Sequence, residues 1–143
     1  MPRRLALCLL LGAVAACDSA DDLQPVDGVV VVSVGEAPND GPGLLLQTEA
    51  AYPCGARLVV SEETGDARLS VAVEGVAAGM GSPCRGLDGP LSYATSLPVA
   101  NPTVSVEVRH RGETDQYAYM CGFAGCDLTA VRMSTTRLGP RPR

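Results

Sequence analysis

The sequence predicts an all-β fold, an antiparallel β-sandwich of about seven strands. Three observations carry this. In "TVSVEVRHR", Val104, Val106 and Val108 alternate with Ser105, Glu107 and Arg109, the period of a strand with one buried face. "ARLSVAVEGV" repeats the pattern, setting Leu69, Val71 and Val73 against Arg68, Ser70, Ala72 and Glu74. Gly, Pro, Asn and Asp punctuate the chain at short intervals, as turns in an all-β domain do. No segment after residue 16 carries a helical apolar repeat.

Residues 1–16 stand apart from that domain. Arg3 and Arg4 precede an apolar run, Leu5 to Ala16, that ends in small residues. A spanning helix needs about 20 apolar residues, and this run is twelve. Its size and flanks are those of an export signal. Val14-Ala15-Ala16-Cys17 then resembles the lipobox of bacterial lipoproteins. The resemblance implies Sec-dependent export, cleavage before Cys17, acylation of that cysteine and anchoring in a lipid bilayer. Two or more acyl chains hold a protein firmly where one does not. Residues 17–27, "CDSADDLQPVD", lack apolar periodicity and are expected to form an acidic flexible tether. The sandwich is expected over 28–138 and a short disordered tail over 139–143.

Within the domain, "VVVVSV" (29–34) is a β-branched strand and "LLLQTEAAY" (44–52) a second, bounded by Gly-Pro-Gly and Pro53. "ARLVVSEE" and "ARLSVAVEGV" flank the turn "TGD". The Gly/Pro-rich stretch from Gly75 to Asn101 is expected to hold one short strand near Leu91–Leu97. "TVSVEVRHR" and "QYAYMCG" form a hairpin about "GETD". "DLTAVRMSTTRL" closes the fold as one strand, with Val131 and Met133 on one face.

Six cysteines are present. Cys8 leaves with the signal and Cys17 carries lipid. Cys54, Cys84, Cys121 and Cys126 remain, an even number in an exported chain, and disulfides are the default there. Three pairings exist. The preferred one joins Cys54 to Cys84 and Cys121 to Cys126 across a four-residue GFAG loop, where opposed strand residues stand close enough to bridge. Zinc is disfavoured, because only Cys121 and Cys126 are close in sequence. No cofactor is expected.

The order of elements resembles small immunoglobulin-like lipoproteins of Gram-negative bacteria. The shared features are Tyr52-Pro53-Cys54, Cys84 after Gly75-Val76, Gly89-Pro90, and Asp115-Gln116-Tyr117 opening a late strand. The resemblance spans Val26 to Arg132. It implies the immunoglobulin-like type of sandwich and a place in the cell envelope, periplasmic or at the surface, and little about activity.

All 11 basic residues are Arg. Loss of Arg3 and Arg4 leaves 9 against 16 acidic groups, a net charge of −7. That argues against nucleic acid as a partner and against anionic lipid bound by charge. His110, the single histidine, lacks a nucleophilic serine in a G-x-S-x-G setting and is expected to face solvent at a strand end. Glu62, Glu63 and Asp66 read as a solvated turn. Asp40 and Asp88 read as turn residues without a metal. The expected role is a non-catalytic envelope module that binds a protein or glycan. Its candidate binding loop contains Arg85, Asp88 and Phe123. The rival readings are an envelope-polymer hydrolase and, within the binding class, an inhibitor of a basic enzyme.

Overall fold

The computed structural model describes residues 22–79, 86–98, 101–123 and 125–140. These form nine strands: β1 (Val30–Glu36), β2 (Pro42–Tyr52), β3 (Arg57–Thr64), β4 (Arg68–Ala77), β5 (Gly89–Ser96), β6 (Thr103–His110), β7 (Glu113–Gly122), β8 (Gly125–Arg132) and β9 (Thr136–Leu138). One sheet is ordered β5-β2-β1-β9 and the other β3-β4-β6-β7-β8. Most neighbours are antiparallel, but β1 and β9 are parallel, as are β4 and β6.

Alternation explains the layering. Val30, Val32, Leu44 and Leu46 of one sheet face Leu69, Val71, Val104, Val106, Val108, Tyr117 and Tyr119 of the other in one buried cluster. Each such side chain contributes about 1.5–3 kcal/mol on leaving water. Ser105, Glu107 and Arg109 stay on the outer face, where Arg68 pairs with Glu107 at 2.6 Å.

Strand register sorts the connections into two ends. At one end, the chain enters the domain. Gln24 and Val76 exchange two backbone hydrogen bonds there, of 2.9 and 2.8 Å, and the Asp27 N–H donates to the Tyr52 hydroxyl at 2.7 Å. The β6–β7 turn lies at this end as well. The opposite end, the apex, gathers four connections. Asn101 Nδ2 donates to the Asp66 carbonyl at 2.7 Å. The Cys121 N–H donates to the Pro102 carbonyl at 3.0 Å. The Ser96 hydroxyl donates to Asn39 at 3.1 Å.

Three details differ from the sequence expectation. The domain begins before residue 28, since Val26 is buried and Gln24 is bridged to β4. Gly75 permits this: its φ is 155°, and a Cβ there would stand 2.7 Å from the Gln24 carbonyl oxygen. The expected closing strand is two strands, β8 and β9, broken at residues 133–135. Leu128 points inward, whereas Val131 and Met133 are exposed. The expected four-residue hairpin loop shortens to two residues, because Gly122 pairs with Gly125.

Candidate functional site

Two places bear on function: a buried polar knot at the entry end and the hairpin at the apex. The knot starts from Asp115, an inward position of β7 with 0% exposure. One carboxylate oxygen accepts the Ser134 N–H and hydroxyl, each at 2.7 Å. The other accepts the N–H groups of Thr135 at 3.0 Å and Thr136 at 2.7 Å, and the Thr136 hydroxyl. The Tyr117 hydroxyl bonds Thr136 in turn. Burial alone would raise the Asp115 pKa. The hydrogen bonds from Thr136, Ser134 and Thr135 outweigh it and hold the group at about 2. This capture bends the chain after β8 and breaks the expected single strand.

His110 packs beside the knot with 2% exposure, correcting its expected solvent-facing place. The cause is register: His110 continues the inward series Val104, Val106, Val108. Its Nδ1 lies 3.4 Å from the Thr135 carbonyl, so that nitrogen carries the proton. Among the described residues Nε2 is buried without a partner. Burial lowers the His110 pKa and Arg111 adds to this, against the opposing pull of Thr135 and Asp115.

This constellation fastens the chain after β8 to β7. The Ser134 hydroxyl donates to Asp115, not to His110, and a nucleophile needs its base within hydrogen-bond reach. Glu62 and Glu63 do not pair either. Glu62 stands opposite Val71 and Glu63 opposite Ser70, on opposite sheet faces, and Glu62 accepts the Tyr93 hydroxyl at 2.9 Å. A shallow cleft of about 130 Å³ beside Ser61, Glu63 and Arg109 is well below the ~300 Å³ at which ligand pockets begin. Asp40 adopts φ 61° in the β1–β2 turn. Among the described residues, no three His, Cys, Asp or Glu side chains are grouped to hold a metal.

At the apex, Cys121 and Cys126 form a disulfide between directly opposed residues of β7 and β8, with Cα atoms 4.1 Å apart. Beyond it Phe123 occupies the tip with 116% of its reference exposure. Met120, just before the bridge, is 47% exposed. The Tyr119 hydroxyl packs 2.9 Å from Cys121 Sγ beneath them.

The other sequence-selected residues are scattered. Cys54 is disulfide-bonded and follows β2 at the entry end. Asp88 precedes β5 at that same end, so it and Phe123 do not share a surface. Cys17, Cys84 and Arg85 lie outside the described residues. The Asp115 knot was missed, although an acidic group in the inward series Asp115, Tyr117, Tyr119 demands buried partners, and "STT" offers them. Comparison with protein families, curated proteins and solved structures returns no match.

Proposed function

We propose that the chain is an exported lipoprotein of the cell envelope, anchored through acylated Cys17. Its sandwich, of immunoglobulin-like type, is a non-catalytic binding module. Cys54 pairs with Cys84 as the second staple. The anchor rests on the basic, apolar and small-residue pattern before Cys17. One observation carries the binding reading: Phe123 is held in water on a two-residue tip that a disulfide closes. An exposed aromatic next to a disulfide-closed hairpin offers a large apolar contact and is the residue type that dominates interface energetics. Against the hydrolase reading stand the enclosed His110 and its distance from Asp66. Ser105, bonded to the residue after Asp66, lies five residues before His110 along β6, about 17 Å.

Intact mass of protein extracted from membranes tests the anchor. The expected species starts at Cys17, carries acyl mass and gains about four hydrogens on reduction. A chain that keeps residues 1–16 or lacks acyl mass overturns it. Purified protein is expected to cleave no envelope glycan. Hydrolysis that disappears in His110→Ala would overturn the non-catalytic reading.

A further inference from the structure

Resting on the anchored reading, we propose that the apex is the partner-facing end and that its partner is a protein with an apolar socket in a basic surround. Chain length sets the orientation. Among the described residues Gln24 is the first one bridged to the domain, seven positions after Cys17. Fully extended, that leash spans about 25 Å. The entry end is therefore held near the bilayer. β7 is 10 residues long, so the apex stands about 34 Å farther out. Phe123 thus lies at the end of the domain farthest from where the anchored chain enters.

Charge sets the partner. The apex turns and strand ends carry Glu36, Asp40, Glu63 and Asp66, all exposed. Among the described residues, one Arg lies at that end, Arg68, and Glu107 holds it. The entry end is mixed in sign, with Arg57, Arg111 and Arg132 beside Asp27, Asp88 and Glu113. A second copy would press acidic apex against acidic apex. A neutral glycan would leave the acidic rim unmatched. A basic protein surface matches the rim, and an apolar socket takes Phe123 with Met120 at its edge.

The test places a photo-crosslinking benzoylphenylalanine at position 123 in the full lipidated chain, in membranes of the producing bacterium. A control places it at Leu87, which is 96% exposed at the entry end. The expected result is a protein adduct from position 123 and none from position 87. The captured protein has a basic surface. Adduct yield falls about tenfold or more as salt is raised from ~0.05 to ~0.5 M, and falls similarly in Asp40→Asn/Asp66→Asn. The proposal is overturned by no protein adduct at 123, by an adduct of twice the chain mass, by a lipid or glycan adduct, or by a yield indifferent to salt. Intact mass of the same preparation reads the anchor separately. An unacylated chain that still gives the salt-sensitive adduct at 123 sinks the anchored reading and leaves the apex assignment standing.

Discussion

Asp115 keeps a full negative charge at 0% exposure because three N–H groups and two hydroxyls converge on it. Its pKa is about 2 in the folded chain, against 3.8 ordinarily. A depressed carboxyl stabilises the fold above its unfolded pKa, and the contribution is lost as pH falls from about 4 to about 2. Asp115→Asn turns an acceptor toward donors that can no longer all be satisfied. The expected loss is about 3 kcal/mol, a fall in Tm of 10 °C or more by the scaling of about 4–8 °C per kcal/mol. Thermal unfolding at pH 7 measures it, and the acid limb between pH 4 and 2 should flatten in the variant. His110 behaves in the opposite chemical sense with the same pH sign. Its folded pKa is lowered, so the unfolded chain binds more protons, and stability falls as pH drops below about 6.5. His110→Leu should remove that loss. Denaturant midpoints at pH 7.5 and 5.0 check it, and an unchanged pH dependence would refute the assignment. The place of His110 was legible, since three valines at alternate positions lead to it. Its flanking Arg109 and Arg111, both exposed, mask that inward series.

At the level of strands, the sequence pattern located most elements, because period-two alternation needs only local residues. It failed where a distant group intervened. β8 and β9 read as one strand, since nothing nearby in "DLTAVRMSTTRL" announces that Asp115, 19 residues before Ser134, will capture the middle of it. Val131 and Met133 consequently lie outside. The hairpin was legible to the pairing of Cys121 with Cys126, though not to the two-residue tip. Gly75 shows the same limit: its role depends on Gln24, which reaches β4 only in the folded chain. Gly75→Ala is expected to dislodge Gln24, given the 2.7 Å approach, and to cost about 1–3 kcal/mol. Hydrogen exchange should show the Gln24 and Val76 amides losing protection while the β6 amides keep theirs.

The whole molecule divides its tasks along its long axis. One end holds the entering chain and the buried knot; the other holds the clamped tip. Stability and the proposed recognition are thus separable. Phe123→Ser is expected to leave Tm within about 3 °C, since exposed substitutions stay within roughly 0.5 kcal/mol, while abolishing capture at the apex. A calorimetric scan reads the first, and the crosslinking assay with the benzoylphenylalanine moved to position 120, exposed beside the same tip, reads the second. The two-layer, all-β architecture was legible in composition and alternation. The parallel contacts β1–β9 and β4–β6 were not, because they join segments whose proximity no local pattern encodes. The sandwiched position of β1 has a mechanical consequence. It lies between β2 and β9 and begins three residues after Asp27, so in the proposed anchored protein a tug from the membrane would run along its axis. The peripheral Gln24–Val76 bridge can peel, but β1 is then loaded in shear. Its cross-strand bonds must yield together rather than one by one, and force between the proposed anchor and the proposed partner would be carried through the core.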